Sequence, residues 1–236
     1  NTILMFYKIG HRGAAGHTPE NTLSSFQKAL SLNVDMIELD VHLCRSGEVV
    51  VIHEDTIKIN KRKGLIKRTD YADLIRLDIP TLEDVLHLVR GRTRVNIELK
   101  GSDTAYPVSR IVKKYLKNGD FKKEDFLVSS FNLKELKKSH RYLPQIKKGV
   151  LIGPLGPLSF WINKLPLIFN YYLKTAERLN AFSLNIHRKL VTPKIIQVTQ
   201  AQNIKAFVYT VNNPAEIRHL KEMGVDGIFS DYPDRL

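Results

Sequence analysis

Apolar residues in this chain fall into short β-rich runs that alternate with stretches of helical spacing. The runs are Tyr7–Gly10, Met36–Leu43, Val49–His53, Arg94–Leu99, Phe126–Phe131, Gly149–Ile152, Ala181–Ile186, Lys205–Val211 and Gly227–Ser230. Between many of them lie helical patterns. Val108, Ile111, Val112, Tyr115 and Leu116, for example, form an i, i+3, i+4, i+7, i+8 stripe. Helix starts are marked by Thr81 ahead of Asp84, by Thr192 before Pro193, and by Asn213 before Pro214 with Glu216 in the first turn. Gly224 stands where a helix ending at Met223 would stop.

Strand–helix alternation implies parallel strands. There are nine runs, one more than an eight-stranded barrel uses. The segment joining Met36–Leu43 to Val49–His53 is too short for a parallel crossover, which needs about a dozen residues. That pair is therefore antiparallel, a hairpin excursion that returns over the barrel mouth. The prediction is an α/β chain: one (β/α)8 TIM barrel spanning residues 1–236, with a short hairpin after the second strand. An open doubly wound sheet is the structural alternative, but no glycine-rich nucleotide loop follows the first strand. There is no internal repeat, linker or low-complexity segment.

Composition narrows the class. With 236 residues, 43% hydrophobic and 26% charged, the chain can bury a full core, which excludes disordered and collagen-like classes. A net charge of +13 favours anionic company, namely phosphate esters, peripheral contact with an anionic membrane, or nucleic acid. Nucleic acid ranks last and is not expected as a partner, because no binding motif with interleaved aromatics is visible. The single cysteine, Cys44, suits a reducing compartment and a cytoplasmic location. The first residues lack the charged start and apolar run of a signal peptide. Gly149 to Leu173, the most apolar stretch, is interrupted by Pro154, Pro157 and Pro166 and does not read as a membrane span.

In such barrels the chemistry lies at the carboxyl ends of the strands. Strand one ends in His11-Arg12-Gly13. Alternation puts Glu38 and Asp40 of strand two on one face, and Glu98 and Lys100 of a later strand on one face. Ile37, Leu39, Val41, Ile97 and Leu99 take the opposite face, towards the helices, and the hairpin ends in His53. Converging carboxylates repel and resist desolvation unless a cation neutralises them, and hard oxygen ligands suit Mg²⁺ or Ca²⁺. Two histidines can share proton transfer, while Arg12 and Lys100 add positive charge for a phosphate. Taken singly, each motif also fits a solvated face or an ordinary strand end. The joint placement at several strand ends points to phosphodiester cleavage.

These residues resemble the glycerophosphodiester phosphodiesterase family, within the phospholipase C-like phosphodiesterase superfamily. The likeness is carried by His11-Arg12-Gly13, Pro19-Glu20-Asn21-Thr22, Ile37-Glu38-Leu39-Asp40-Val41, Val49-Val50-Val51-Ile52-His53 and Pro80-Thr81-Leu82-Glu83-Asp84. It continues in Asn96-Ile97-Glu98-Leu99-Lys100, Ser129-Ser130-Phe131, Val208-Tyr209-Thr210-Val211-Asn212 and Gly227 to Pro233, so it covers nearly the whole chain. The resemblance implies a metal-dependent hydrolase that releases sn-glycerol 3-phosphate and an alcohol. It would make Glu38, Asp40 and Glu98 ligands of one divalent ion, Mg²⁺ or Ca²⁺. His11 and His53 would be the acid and base, Arg12 and Lys100 the phosphate contacts, and Tyr209 part of the substrate pocket. A non-catalytic barrel that binds lipid or phosphate is the competing class, but all five metal and proton-transfer groups are present.

Two departures from the family pattern stand out. Glu54 follows His53 where the family usually has Asp, and Tyr209 stands where it often has Trp. A tyrosine there can pack against substrate while offering a hydroxyl. The stretch Leu155–Tyr172, with Phe160 and Trp161, reads either as barrel cover or as a lipid-facing lip. As a lip it would let the substrate keep an acyl chain, making the enzyme a lysophospholipase D. His42, on the same face as Asp40 by alternation, reads as a support to the site, and Cys44 as incidental.

Overall fold

The computed structural model describes residues 6–59, 62–153 and 166–236, with the side chains of 166–168 excepted. Its strands are β1 (Tyr7–Gly10), β2 (Met36–Leu43), β3 (Val49–Val51), β4 (Thr56–Ile59), β5 (Arg62–Leu65), β6 (Arg94–Leu99), β7 (Phe126–Ser130), β8 (Lys147–Ile152), β9 (Ser183–His187), β10 (Lys205–Tyr209) and β11 (Gly227–Ser230). Eight of these, β1, β2 and β6 to β11, pair in parallel, and the β1–β2 pairing closes the ring. The chain is therefore a (β/α)8 barrel, as the alternation predicts.

β3 runs antiparallel to β2, with Val41 opposite Val51, which is the expected hairpin. The strand stops at Val51, short of His53: Val51 N donates to Pro80 O, and a last bond to β2 runs from Ile52 N to Asp40 O. A second hairpin, β4–β5, forms a separate two-stranded sheet that the sequence pattern did not reveal. Its strands are only four residues long and rich in lysine, arginine and glycine, which hides the alternation.

The helices are α1 (Leu23–Ser31), α2 (Tyr71–Leu74), α3 (Leu82–Val89), α4 (Ala105–Lys117), α5 (Leu133–Tyr142), α6 (Pro166–Arg178), α7 (Pro193–Ala201) and α8 (Pro214–Glu222). The predicted caps are present. Thr81 and Asp84 form a reciprocal capping box at α3, while Thr192 and Asn213 accept from first-turn amides of α7 and α8. Among the described residues no helix is long and apolar enough to cross a membrane.

Strand residues divide between two faces. Ile37, Leu39, Val41, Val95, Ile97 and Leu99 pack outward against Phe26, Ala29, Val85, Leu86, Val108 and Val112 of the helices. Val150, Ile152, Leu184, Ile186, Ala206 and Val208 do the same on the other side. Each such side chain, when fully buried, contributes about 1.5–3 kcal/mol. Inside the barrel, Tyr7, Ile9, Met36, Leu127, Phe207 and Phe229 form a plug. Alternation then carries β2 from Met36 in the plug to Glu38 and Asp40 above it.

Lys148 is an exception on the outer face. It is 1% exposed, and its Nζ donates to Leu143 O at 2.8 Å and Ile146 O at 2.6 Å. The ammonium thereby ties together two carbonyls of the turn between α5 and β8.

Candidate active site

The loop after β1 shapes one wall of the site. Gly13 has φ +90°, and a Cβ there would sit 2.4 Å from Ser25 Oγ, so only glycine fits. Ser25 Oγ accepts from Ala14 N and donates to Arg12 O, both at 2.9 Å, fastening the loop to α1. Arg12 itself is left-handed at φ 50°, and its backbone N–H donates to Glu38 Oε2 at 2.9 Å.

The strand ends and loops enclose a cavity of about 280 Å³ lined by His11, Arg12, Glu38, His53, Asn96, Glu98 and Lys100 on its polar side. Phe131, Leu151, His187, Tyr209, Thr210 and Phe229 line the rest. A larger surface groove, about 440 Å³ beside Glu83, Arg110 and Lys114, shares none of these residues.

In-register pairing of β2 with β6 sets Asp40 beside Glu98 and Glu38 beside Asn96. Glu38, Asp40 and Glu98 are all buried and offer oxygens within 4.8 Å of one another. Burial, then the neighbouring Asp40 charge, holds the Glu38 carboxyl well above the usual carboxylate range. Burial and Asp40 push Glu98 up to about 7, against the opposing pull of Lys100. Glu98 Oε1 lies 3.1 Å from Lys100 Nζ yet out of hydrogen-bond alignment, so it is a buried acceptor left over. Three crowded oxygen donors and a spare acceptor fit a hard divalent cation.

Two cations border the carboxylates. Lys100 Nζ is 3.8 Å from Asp40 Oδ1. Arg12 Nε is 3.3 Å from Asp40 Oδ2, and its Nη1 donates to Glu20 at 2.8 and 2.9 Å. Asn21 explains the motif around it: its Nδ2 donates to Asp40 Oδ2 at 2.9 Å, and its Oδ1 accepts from Asp40 N at 3.3 Å. One side chain thus fixes both the backbone and the carboxylate of Asp40.

The two histidines are held differently. Lys100 Nζ is 3.0 Å from His53 Nε2. An ammonium only donates, so Nε2 accepts, and Nδ1–H donates to Glu54 Oε1 at 2.8 Å. The carbonyl of His53 accepts from Nε2 of His42 at 3.2 Å. His42 is 6% exposed, and burial lowers its pKa, which keeps the ring neutral. His11 Nδ1 instead meets Asp231 Oδ1 at 2.7 Å. Asp231 Oδ2 accepts from Asn212 Nδ2 at 2.6 Å, and Asn212 Oδ1 accepts from Asp231 N at 2.9 Å. Bonds from His11 and Asn212 outweigh burial and hold the Asp231 carboxyl below its ordinary value.

Every site residue expected from the sequence thus lies in or against one cavity, and one expectation about a group is corrected. The Tyr209 hydroxyl donates to Ile152 O at 2.9 Å and is committed to the barrel. Its ring, 6.0 Å from Phe131 and 5.6 Å from His187, still lines the cavity. Roles for Asp231, Asn212, Asn21 and His187 were not read from the sequence. Cys44 is buried and donates to Glu48 Oε2 at 3.2 Å, away from the cavity. The stretch 154–165, with Phe160 and Trp161, lies outside the described residues.

A parallel barrel whose mouth gathers three carboxylates, two histidines, an arginine and a lysine defines a class of phosphoester hydrolases. Residues 11–235 match the glycerophosphoryl diester phosphodiesterase family. The chain belongs to that family and is an enzyme of its class, a phosphoric diester hydrolase. It is 36% identical over 245 residues to a Bacillus altitudinis glycerophosphodiester phosphodiesterase, covering 96% of this chain and 95% of that one. It is 25% identical to the human lysophospholipase D GDPD1, covering 97% and 84%. Among solved structures it is similar to an Oleispira antarctica phosphodiesterase in complex with the product sn-glycerol-3-phosphate, at 26% identity and TM-score 0.81, covering 96% and 93%.

Proposed function

We propose that the enzyme hydrolyses glycerophosphodiesters to sn-glycerol 3-phosphate and an alcohol, with His11 and His53 as its acid–base pair. The observation that carries this reading is the convergence of three buried carboxylates beside both histidines and both cations. Glu38, Asp40 and Glu98 would hold one Mg²⁺ or Ca²⁺. Bound there, such an ion neutralises the carboxylates and supplies Lewis-acid stabilisation of phosphoryl charge.

The remaining work falls to the chain's own groups. Arg12 and Lys100 bind the phosphate oxygens, with Glu20 fixing the guanidinium. The glycerol 2-hydroxyl attacks phosphorus and gives its proton to one histidine, while the other protonates the departing alkoxide. Water then opens the cyclic phosphate by the reverse use of the same pair. Asp231 holds His11 and Glu54 holds His53, each through Nδ1. Nε2 of His53, which accepts from Lys100 Nζ here, takes up the reaction when Lys100 turns to the phosphate. The Tyr209 and Phe131 rings give the glycerol an apolar wall.

A second reading, lysophospholipase D activity at a membrane, is favoured by the apolar half of the cavity, Phe131, Leu151, Tyr209 and Phe229. The likeness to a relative named lysophospholipase D also supports it. The positive charge suits peripheral contact with an anionic surface. The deciding experiment compares release of sn-glycerol 3-phosphate from glycerophosphocholine with lysophosphatidic acid formation from lysophosphatidylcholine. His53→Ala is run beside the wild type. Faster turnover of glycerophosphocholine, lost in the variant, supports the first reading. Preference for the lysolipid moves the assignment to the second.

A further inference from the structure

The excursion between β3 and α3 carries charge for which the reaction has no use. From Thr56 to Arg68 the sequence contains Lys58, Lys61, Arg62, Lys63, Lys67 and Arg68, with no aspartate, glutamate or aromatic residue. The β4–β5 hairpin stands apart from the barrel sheet, and its register sets Lys58 directly opposite Lys63. Like charges facing each other across a strand pair are destabilising. Lys58, Arg62, Lys63, Lys67 and Arg68 are exposed, and among the described residues none of them has an ion-pair partner. Some exposed cations elsewhere do, as Arg45 has Asp70, Arg90 has Asp120 and Lys114 has Glu83, while others such as Lys113 and Lys134 do not. What sets the hairpin apart is the density of cations with no carboxylate among them.

The hairpin is anchored rather than loose. Ile57 packs against the cluster of Cys44, Val50, Ile66, Leu74 and Ile79, which leaves the charged side chains facing outward. It also borders the site. Leu65 and Lys67 line a cavity of about 190 Å³ together with His42 and Lys100.

We propose that this hairpin is a docking surface for an anionic lipid bilayer, holding the barrel mouth close to the membrane from which glycerophosphodiesters derive. The choice of lipid rests on the glycerophosphodiester reading above. An unneutralised run of lysine and arginine on a short, outward-facing hairpin matches the field of an anionic leaflet, where each basic residue strengthens binding about fivefold. Binding single-stranded nucleic acid would call for aromatic faces on which bases stack, and the hairpin has none.

The test is co-sedimentation of the whole protein with vesicles of phosphatidylcholine alone or with about 30% phosphatidylglycerol, an anionic lipid. Expected are binding to the anionic vesicles only and release as salt rises from about 0.05 to 0.5 M. Lys58→Glu/Lys63→Glu should bind at least about 25-fold more weakly, the loss that two basic residues at about fivefold each imply before the added negative charge is counted. Its hydrolysis of soluble glycerophosphocholine should match wild type, which also reports folding. The neutral Lys58→Gln/Lys63→Gln pair, expected to bind at an intermediate level, keeps the test decisive if the reversed variant fails to fold. Equal binding of these variants, indifference of the wild type to anionic lipid, or preference for an RNA duplex over vesicles overturns the proposal. Loss of glycerophosphocholine hydrolysis by the wild type would strike the proposed reaction and leave the docking result standing.

Discussion

His11 Nδ1 and Asp231 Oδ1 lie 2.7 Å apart although 220 residues separate them in sequence. The barrel's closure brings them together. β1 pairs with β11 so that Gly10 faces Ser230, and the next residue on each strand is one member of the pair. Asp231 is itself held by Asn212, so the imidazole is fixed by a relay of two groups. An acceptor at Nδ1 sets the tautomer and leaves Nε2 to exchange protons.

Asp231→Asn keeps the shape but replaces the acceptor with an amide that can present N–H to the ring. The expected result is a fall in kcat of about 10²-fold or more, with KM little changed and the melting temperature near that of wild type. Steady-state kinetics with glycerophosphocholine and a thermal melt check this. Unchanged kcat would remove His11 from the proton-transfer role.

His42 acts on the other histidine through its backbone. Its Nε2 donates to His53 O at 3.2 Å from a buried position. His42→Leu should lower kcat about tenfold by letting His53 drift. His42→Gln, whose amide can donate to the same carbonyl, should recover most of that loss. If both variants match wild type, the contact is only structural packing.

Lys148 gives the fold a pH dependence of its own. Burial lowers its ammonium pKa from the ordinary 10.5 to about 8. The folded chain therefore binds fewer protons than the unfolded chain between those values, and stability rises with pH across that window. Below about 8 the full desolvation penalty is present, of order 3 kcal/mol. Thermal unfolding of the wild type and Lys148→Met from about pH 7 to 10.5 tests this. The wild type should gain relative to the variant as pH rises, and parallel curves would show that the two carbonyl acceptors offset the burial.

Binding of an ion by Glu38, Asp40 and Glu98 should stabilise the fold, since only the native state assembles the three oxygens. At a hundredfold excess over Kd the expected gain is about 2.7 kcal/mol. Differential scanning fluorimetry with chelator, Mg²⁺ and Ca²⁺ measures it, and Asp40→Asn should lose most of the shift. An ion-independent melting temperature would mean the triad binds no ion of this kind.

Much of the site is legible in the amino-acid sequence because β alternation is rigid. Glu38 with Asp40, and Glu98 with Lys100, must share faces two residues apart, and apolar Ile37, Leu39 and Ile97 identify the other face. The capping residues Thr81, Thr192 and Asn213 are equally plain, since their side chains act within one turn. What escapes depends on distant partners. The His11–Asp231 pair needs the barrel to close, and the Tyr209 hydroxyl needs Ile152 O on β8 to be its neighbour. The β4–β5 hairpin escapes for a different reason, as Lys58, Arg62 and Lys63 obscure the apolar alternation.

The most direct measurement is release of sn-glycerol 3-phosphate from glycerophosphocholine by metal-stripped enzyme, followed by titration with Mg²⁺ and with Ca²⁺. Activity should be absent after chelation and return saturably with one of the two ions. In Asp40→Asn the return should require at least tenfold more ion, in keeping with the loss of one charged ligand. Full activity in the stripped enzyme, or identical titrations for the two proteins, would contradict the assignment of the triad.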